Sequence, residues 1–529
     1  MSDRPLSPQS PESAAGALLP QHGVSTQPAG QVATDLCTFC PRLCSHTCPV
    51  SLSSLRETLT PQVKMAALGR LRARVATLGS PSAEGLDAAG REELDDTVSA
   101  SPLYGCSGCG ACTTPCLYKV EPARELLRGR ADAERAGLGH PALANLVHRQ
   151  EHRGRTAAEA LARDPELQKR RARAGEAAFL PACLPRSDES QALAGPVRDG
   201  RAALRLLERL SDALPGASRD ALPPLGIAEV SHACAGYPLY AAGLTEAFRL
   251  YAESFARQVE RYPLLVTSCS ACTWLLRVGY PEHGVPLGPQ VQHVTELLAP
   301  FAEALPITRP LPALAAYHDP CHLGRRLGSL PATASRAHTR DDATHEARHE
   351  ARHEARHEAR HEARGGQPGS EPRTHDLFDG PRRLLERATR GVIEFPYHHE
   401  GARCCGAGGL MPITEPAIAQ AMAQDRLAEL QSAPLPEMPE MPEISERPEM
   451  SETPSLVVTS CPGCQHHLAK SGPSPGSGPA SAGPGSVPVP VPVPVPVQAQ
   501  VQVRSLIELL EEATRPGSAP GPTGDGDGS

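Results

Sequence analysis

The apolar positions of this chain follow two patterns, one typical of helices and the other typical of buried parallel strands. In residues 63–79 apolar side chains recur at helical spacing among strong helix formers, which predicts a helix. Residues 264–267 and 456–459 are short apolar runs, and each stops at a pair of cysteines where a helical pattern begins. This change of period is typical of a strand-to-helix turn in an α/β unit, and it places the cysteines at the carboxyl end of the strand.

These strand-to-helix turns belong to an internal repeat, which covers three pairs of short segments. The matching segments are Leu264–Cys272 with Leu456–Cys464, Phe179–Cys183 with Tyr317–Cys321, and Cys234–Gly236 with Cys404–Gly406. A repeat of whole strand-to-helix units predicts two homologous α/β lobes related by a pseudo-twofold axis.

Changes in composition along the chain predict the domain boundaries. Residues 1–33 and 516–529 hold little that can be buried, and we expect them to be disordered. The segments between them are a helical domain at 34–125, a helical connector at 126–175, a first cysteine-rich lobe at 176–300 and a second at 311–515.

Three low-complexity tracts interrupt the second lobe, at 329–378, 435–454 and 471–502. They contain five copies of His-Glu-Ala-Arg, a degenerate Pro-Glu-Met repeat and a Val-Pro alternation that favours a polyproline II rod. Because the free-energy cost of closing a loop grows slowly with its length, insertions of this kind are tolerable. The apolar pattern resumes at 503–514, which predicts an amphipathic closing helix.

Composition and charge narrow the class of protein. The chain has 529 residues with 56 prolines, 46 glycines and only 3% aromatic residues, so much of its length lies outside folded domains. A net charge of −8 gives no support to nucleic-acid binding. We find no signal peptide and no apolar stretch of the roughly 18 residues that a membrane span needs. We therefore expect a cytoplasmic protein, peripheral to the inner membrane only through a partner.

Eight of the seventeen cysteines form two tight runs near the amino terminus. In a reducing compartment clustered cysteines indicate metal ligands, and runs of this density are typical of 4Fe–4S clusters. Two-cluster ferredoxins lend the last cysteine of each run to the other cluster. On that pattern one cluster takes Cys37, Cys40, Cys44 and Cys116, and the other takes Cys106, Cys109, Cys112 and Cys48.

The two runs depart from the ferredoxin pattern in two respects. Three residues rather than two separate Cys40 from Cys44, and no proline follows Cys116. The spacing therefore supports the set of eight ligands and leaves their partition open. A pair of zinc sites is the alternative, although zinc ligands usually form two well-separated pairs.

The second lobe carries five further cysteines, Cys321, Cys404, Cys405, Cys461 and Cys464. The segments that surround them, His318–Arg325, Cys404–Gly409 and Thr459–Cys464, resemble those of the cysteine-rich CCG-domain proteins. That family includes heterodisulfide reductase subunits, the iron–sulfur subunits of glycolate and D-lactate oxidases, and the third subunit of anaerobic glycerol-3-phosphate dehydrogenase. Its five-cysteine set holds a non-cubane 4Fe–4S cluster or, in some members, zinc, so the resemblance implies a metal site without settling the metal.

The first lobe departs from this family pattern. Its four cysteines, Cys183, Cys234, Cys269 and Cys272, align with the second lobe, but Ala235 stands where the triplet has its second cysteine. Four thiolates suffice for an ordinary 4Fe–4S cube or for a zinc ion. Three interpretations of this lobe stay open: an iron–sulfur cluster, a zinc ion, and a core without metal.

Several polar side chains flank the second-lobe cysteines. Arg325 is suited to offset the negative charge of a thiolate-ligated cluster. The four histidines His318, His322, His466 and His467 either form hydrogen bonds to the metal ligands or pack locally.

The predicted fold class is α + α/β: a helical two-cluster ferredoxin-like domain, then two duplicated α/β cysteine-rich lobes with disordered low-complexity insertions. No dinucleotide, phosphate-binding or hydrolytic motif stands out, which favours a chain that moves electrons extracted by another subunit. The resemblance implies transfer from an FAD-containing dehydrogenase of the glycolate, D-lactate or glycerol-3-phosphate type to a quinone or another acceptor. Two alternatives stay open, a disulfide reductase whose catalytic residues are not identified and a zinc-stabilised scaffold.

Overall fold

The structure, a computed structural model, describes residues 29–38, 40–77, 101–183, 189–328, 376–432, 456–471 and 501–516. The disorder expected at 1–28 and 517–529 lies outside the described residues, as do most of the three insertions.

Two four-stranded parallel sheets form the centres of the two cysteine-rich lobes. The strands of the first are β1 (Ala177–Leu180), β2 (Leu225–Ile227), β3 (Leu264–Thr267) and β4 (Gln290–His293), in the order β2-β1-β3-β4. Those of the second are β5 (Leu311–His318), β6 (Thr389–Ile393), β7 (Leu456–Thr459) and β8 (Gln502–Ser505), in the order β6-β5-β7-β8. The strands predicted at 264–267 and 456–459 are confirmed, and the two sheets have the same relative strand order.

Helices make up most of the remaining described chain. Those before β1 are Ala29–Thr38, Pro49–Ser54, Pro61–Thr77, Ser101–Tyr104, Pro122–Arg135, Leu146–Arg163 and Pro165–Gln168. Those of the first lobe are Glu189–Ala213, Gly216–Asp220, Tyr237–Ala242, Thr245–Val259, Ser270–Trp274, Tyr280–Glu282 and Val294–Leu298. Those of the second lobe are Asp376–Ala388, Met411–Thr414, Pro416–Ala428, Pro462–Ser471 and Leu506–Ala513. Helices and parallel sheets together are compatible with the predicted α + α/β class.

Short helical turns connect these elements, and many of them lie beside cysteines. The 3₁₀ turns are Leu43–His46, Glu57–Leu59, Ala111–Thr113, Pro141–Leu143, Ala299–Ala304, His399–Gly401, Gly408–Leu410 and Glu429–Ser432. Two π-helical turns, Leu275–Gly279 and His322–Leu327, follow cysteines of the first and second lobe.

Some element boundaries differ from those expected from composition. Helix Ala29–Thr38 begins inside the segment expected to be disordered, because its Leu36 packs against the N-terminal core. Helix Pro122–Arg135 crosses the boundary expected at residue 125. Two of the insertions end earlier than expected. Helix Asp376–Ala388 begins before residue 378, and strand β8 begins at residue 502, so both belong to the folded second lobe. Composition is averaged over many residues, so it does not locate the first or last buried turn.

The central strands β1, β3 and β7 and the second half of β5 are almost entirely buried, as parallel strands between helical layers are. Phe179 and Val266 of the first sheet share one apolar core with Tyr317 and Val458 of the second sheet. Leu265, on the opposite face, belongs to a second apolar core that also contains Leu68 and Leu103 of the N-terminal helices. The two lobes and the N-terminal part therefore form one packed body, in which the carboxyl ends of the strands carry the cysteines.

A buried arginine connects the N-terminal part and the two lobes where they meet. Arg130 is fully buried and donates to the carbonyl oxygens of Leu103 (3.0 Å), Cys106 (2.7 Å), Ala241 (2.6 Å) and Gly409 (2.8 Å). Gly409 has φ of +60°, and a Cβ there would lie 2.1 Å from the carbonyl oxygen of Cys106. Only glycine fits at this close approach between the N-terminal part and the second lobe.

Candidate metal centres

The structure brings the eight amino-terminal cysteines together in two groups of four. The neighbouring thiols that act electrostatically on Cys37 are Cys40, Cys44 and Cys116. A small cavity is lined by the other four, Cys48, Cys106, Cys109 and Cys112. These groups have the same members as the partition that crossed ligation gives. Their role as cluster ligands stays a prediction.

Neither group is suited to hold thiolates without a counter-charge. Burial, with repulsion from neighbouring thiolates, raises the pKa of Cys37 to about 12 and that of Cys44 to about 11. Burial likewise raises the pKa of Cys112. Because the thiolate is the form that binds metals, a cation must accompany ionisation of these groups. The donor chemistry, four thiols converging in each group, fits a thiolate-ligated cluster or metal.

The nine cysteines of the two lobes line a single cavity of about 550 Å³. They are Cys183, Cys234, Cys269 and Cys272 from the first lobe, and Cys321, Cys404, Cys405, Cys461 and Cys464 from the second. The sequence predicts a separate set in each lobe but not that the two sets share a cavity. This sharing follows from the packing of the two lobes, which brings together the carboxyl ends of their strands.

In the second lobe the five cysteines form a closely connected set. The sulfurs of Cys405 and Cys464 are 3.2 Å apart, and Cys404 has side-chain contacts with Cys321 and Cys405. Hydrogen bonds with Cys404 and Cys464 lower the pKa of Cys405 well below its ordinary value. A sulfur whose thiolate is stabilised by neighbouring thiols is suited to serve as a metal ligand.

The first lobe contains two pairs of cysteines. Cys183 has a hydrogen bond to Cys234, which lowers the pKa of Cys234, and Cys269 has one to Cys272. Ala235, at the position of the missing fifth cysteine, is fully buried. Gln150, from helix Leu146–Arg163, hydrogen-bonds to Cys234. The first-lobe set therefore offers four sulfurs, with an amide beside one of them.

Two sulfur–sulfur contacts connect the sets to one another. Cys269 of the first lobe hydrogen-bonds to Cys461 of the second. Cys109, from the second amino-terminal group, hydrogen-bonds to Cys404 in the cavity. Both Cys109 and Cys404 are buried in one apolar cluster with Met411. The cysteines thus form a continuous series from the amino-terminal domain into the cavity.

Cationic side chains surround the junction between the amino-terminal cysteines and the second lobe. Arg325 donates to the carbonyl oxygens of Cys109 (3.1 Å) and Glu400 (2.8 Å), and its charge opposes the rise in the pKa of Cys109. Arg326 donates to the carbonyl oxygen of Gly108 at 3.1 Å and stacks over the Trp274 ring at 3.7 Å. Arg325 therefore lies near a cysteine of the amino-terminal group, in addition to following Cys321 in sequence.

The histidines that flank the second-lobe cysteines have different surroundings. His322 contacts the sulfur of Cys321 through Nδ1 at 3.5 Å, and burial lowers its pKa to about 3, so the ring is neutral. His467 instead places Nε2 3.0 Å from the carbonyl oxygen of Ala419. His318 is buried with Cys405 and Cys464. The histidines of the His-Glu-Ala-Arg tract lie outside the described residues.

Sequence reasoning missed one wall of the cavity. Helix Leu146–Arg163, which the sequence predicts only as part of a connector, lines the cavity with polar and cationic residues. Among them are Arg149, Gln150, His152 and Arg153, of which His152 and Arg153 are exposed. The amphipathic pattern identifies the helix but does not indicate what the helix packs against. The sequence therefore carries no signal that places this helix beside the cavity.

Comparison with known proteins identifies the second lobe. The family described as "Cysteine-rich domain" (CCG) matches residues 373–469. This match covers Cys404, Cys405, Cys461 and Cys464. The second lobe therefore contains a cysteine-rich domain of the CCG family.

Two relatives, each a subunit of a reductase, match longer parts of the chain. The relative from the fumarate reductase (CoM/CoB) of Methanothermobacter marburgensis is 23% identical over 378 residues, which are 70% of this chain and 57% of that protein. The relative from the dihydromethanophenazine:CoB–CoM heterodisulfide reductase of Methanosarcina barkeri is 24% identical over 211 residues, 37% of this chain and 38% of that protein. The chain is homologous to these reductase subunits and spans less than two thirds of either one.

No solved structure gives a significant match to the chain. Among the described residues, no helix is both long enough and apolar enough to cross a membrane.

Proposed function

We propose that this chain is an iron–sulfur electron-transfer subunit of an oxidoreductase, with its terminal site in the nine-cysteine cavity. The two relatives are named as subunits of a fumarate reductase and of a heterodisulfide reductase, which supports a role in a multi-subunit reductase. The observation that carries the proposal is the contact between Cys109 and Cys404. It places the second amino-terminal cysteine group next to the cavity.

The proposal assigns the cysteine sets to metal centres. The amino-terminal part is a two-cluster ferredoxin-type domain, whose ligand groups are Cys37, Cys40, Cys44 and Cys116, and Cys48, Cys106, Cys109 and Cys112. The two lobes are duplicated CCG-type units, and their cysteines hold one or two further iron–sulfur centres, with zinc as the alternative in the first lobe. Iron–sulfur clusters supply one-electron transfer at potentials that depend on ligands, hydrogen bonds and solvent exposure.

The exposure of the cysteines indicates the direction in which electrons pass along the series of metal centres. All four cysteines of the first group are partly exposed, whereas the second group has three buried members, Cys48, Cys109 and Cys112, and one partly exposed member, Cys106. A partner subunit therefore has more access to the first group than to the second. Arg325 and Arg326 fix the 108–109 backbone against the second lobe, which keeps Cys109 beside Cys404.

The partner in this proposal is an FAD-containing dehydrogenase of the glycolate, D-lactate or glycerol-3-phosphate type. Its electrons enter at the partly exposed cysteine group, because this chain has no flavin or nicotinamide motif that stands out. A quinone or another acceptor takes them up at the cavity. The cytoplasm, with peripheral attachment to the inner membrane through a partner, is the proposed location.

A second candidate function is reduction of a disulfide in the cavity. The observation that favours it is the cavity itself, whose volume of about 550 Å³ admits a small ligand among nine thiols. The exposed His152 and Arg153 on its wall show that the cavity reaches the surface. One relative is named for reduction of a CoB–CoM heterodisulfide.

Anaerobic turnover with artificial substrates tests both functions. The full chain, with its iron–sulfur centres loaded, is reduced by methyl viologen that dithionite has first reduced, and it is then mixed with menadione or with 2-hydroxyethyl disulfide. The electron-transfer function predicts rapid oxidation by menadione, and a loss of at least tenfold in rate in Cys109→Ser, which removes a proposed cluster ligand together with its contact with Cys404. Turnover of the disulfide but not of menadione would favour the second function.

The matched control in this experiment is Ser107→Ala, a buried position beside Cys106 that carries no sulfur. It is expected to keep the wild-type rate. Equal rates for Cys109→Ser and wild type, with all centres present in both, would contradict the proposed path.

A further inference from the structure

The two lobes differ at a pair of positions beside their cysteines. Leu180 and His318 are the last residues of the central strands β1 and β5, and they pair with Thr267 and Thr459 respectively. They therefore occupy corresponding positions. Ala235 and Cys405 correspond in the same way through the cysteine triplets. Where the second lobe has an imidazole and a fifth thiol, the first lobe has two apolar side chains.

The apolar pair of the first lobe is fully accounted for by packing. Leu180 is 1% exposed and Ala235 is 0% exposed, and both belong to the same apolar core. Neither Leu180 nor Ala235 can ligate a metal or form a side-chain hydrogen bond, and the amide that hydrogen-bonds to a first-lobe sulfur comes from Gln150 on another helix. The difference between the lobes is therefore a change of chemistry at equivalent backbone positions.

His318 lies among the sulfurs of the second lobe. One nitrogen of its ring and the sulfurs of Cys405 and Cys464 lie within 4.8 Å of one another, and all three residues are buried. The ring hydrogen-bonds to Cys405. An imidazole at such a position serves either as a metal ligand or as a hydrogen-bond donor to a sulfur ligand.

Arg426 decides between these two roles. Its Nε donates to Nδ1 of His318 at 3.1 Å, so Nδ1 is an acceptor and the ring proton is on Nε2. Arg426 is fully buried, and its position is fixed by the carbonyl oxygen of Tyr397 at 2.8 Å, by Glu429 and by the Phe395 ring. An Nε2 that carries a proton has no lone pair for a metal.

We propose that His318 is a positioning residue that donates its Nε2–H to the Cys405 sulfur and raises the reduction potential of the second-lobe centre. This inference rests on the proposed function, in which the second-lobe cysteines hold a redox-active cluster. A hydrogen bond to a ligand sulfur stabilises the more negative, reduced state. Leu180 cannot donate a hydrogen bond to a sulfur, so the reduction potentials of the two cysteine sets in the cavity are expected to differ. Electrons are then held on the second-lobe set, which contacts Cys109.

The test is a redox titration of the loaded full chain followed by EPR, in which the second-lobe signal is the one lost in Cys464→Ser. His318→Leu introduces the side chain that the first lobe has at the corresponding position, Leu180. It is expected to keep the wild-type iron and sulfide content. The equilibrium constant for reduction is expected to fall about tenfold, which is about 59 mV for one electron.

Two further variants show whether the shift comes from the hydrogen bond. His318→Gln keeps an N–H donor near the Nε2 position, and it is expected to restore most of the wild-type potential. His467→Gln is the matched control, because the His467 ring contacts the carbonyl oxygen of Ala419 instead of a sulfur. It is expected to leave the potential unchanged.

Two results would overturn the inference. Loss of iron from the second lobe in His318→Leu would make His318 a ligand, and an unchanged potential with an intact centre would remove its proposed effect. Failure of the proposed function gives a different result: the wild-type chain then shows no EPR signal from the second lobe. In that event ¹⁵N NMR of the zinc-loaded full chain decides: a proton on Nε2 supports the donor role, and a metal-bound Nε2 overturns it.

Discussion

Lys64 is a buried cation in the wall of the small cavity formed by four amino-terminal cysteines. Its side chain is almost fully enclosed, with 1% of the residue exposed, and the cavity is lined by Cys48, Cys106, Cys109 and Cys112. A buried ammonium group is costly unless a negative charge lies nearby. The carboxyl group of Glu415 interacts electrostatically with Lys64 and supplies part of that charge. A thiolate-ligated cluster in the cavity would supply more, and Lys64 would in turn stabilise the cluster after it accepts an electron.

Replacement of Lys64 by methionine removes the positive charge and keeps most of the volume. The potential of the adjacent cluster is expected to fall, because the reduced state loses a favourable interaction of about 1 kcal/mol, or about 40 mV for one electron. EPR-monitored titration of the full chain measures it. Lys169→Met, at an exposed site, is the control. A rise in potential in Lys64→Met, or equal potentials in both variants, would contradict this account.

At the scale of elements, helix Glu189–Ala213 holds together the two strand ends that carry first-lobe cysteines. The carboxylate of Asp199 accepts from the backbone N–H of Ala182 at 3.0 Å and from the hydroxyl of Ser268. These residues immediately precede Cys183 and Cys269. Burial raises the pKa of Asp199 to about 6, although both hydrogen bonds oppose the rise.

This pKa predicts a specific dependence of stability on pH. The folded pKa of about 6 exceeds the ordinary value of 3.8, so the folded state binds the proton more tightly. The stability that Asp199 contributes is complete below about pH 4 and is lost as the pH rises through about 6. Asp199→Asn lacks this titration and therefore this loss. As the pH rises from about 4 through about 6, the free energy of unfolding of the variant is expected to increase by up to about 3 kcal/mol relative to that of the wild type.

Urea unfolding at a series of pH values measures the difference in free energy. Asp212→Asn, exposed near the end of the same helix, is expected to give a constant difference. A difference for Asp199→Asn that stays constant or falls with rising pH would refute the assignment.

The elements that carry cysteines could be predicted from sequence, whereas their surroundings could not. The runs at 264–267 and 456–459 change period at a cysteine pair, and that local signal is sufficient to locate the strand and the turn that carries the cysteines. Helix Leu146–Arg163 is recognisable as a helix, but its position beside the cavity depends on contacts with distant residues such as Cys234. The hydrogen bond between Arg426 and His318 joins residues 108 positions apart, and no local pattern indicates it.

At the scale of the whole molecule, one buried side chain connects the amino-terminal domain to both lobes. Arg130 donates to four carbonyl oxygens that belong to all three parts. Arg130→Met leaves these acceptors without their donor, and we expect a loss of about 3 kcal/mol or more in the free energy of unfolding. Chemical denaturation measures it, with the exposed Arg128→Met on the same helix as control. Equal stability of the two variants would show that Arg130 does not hold the parts together.

The five His-Glu-Ala-Arg copies at 345–364 provide a second test at this scale. They lie in an insertion between Gly328 and Asp376, the flanking residues that the structure describes. Because a shorter loop changes the closure free energy by only a few tenths of a kcal/mol, their deletion is expected to leave unfolding and metal content unchanged. A deleted chain that loses metal would give the tract a role in binding it.

The shared cavity also belongs to this scale, and the sequence does not predict it. The internal repeat predicts two lobes and places the cysteines at the strand ends. It does not specify how the lobes pack, because that depends on apolar residues such as Phe179 and Tyr317, which make no distinctive motif. The contact between Cys269 and Cys461 is a consequence of that packing.

Iron and acid-labile sulfide analysis of the anaerobically purified chain, with low-temperature EPR, tests the central claim most directly. We expect a brown protein with about eight or more irons per chain, matching sulfide, and signals that change in Cys40→Ser and Cys109→Ser. A colourless chain that contains zinc and no iron would contradict the account and favour a zinc-stabilised scaffold.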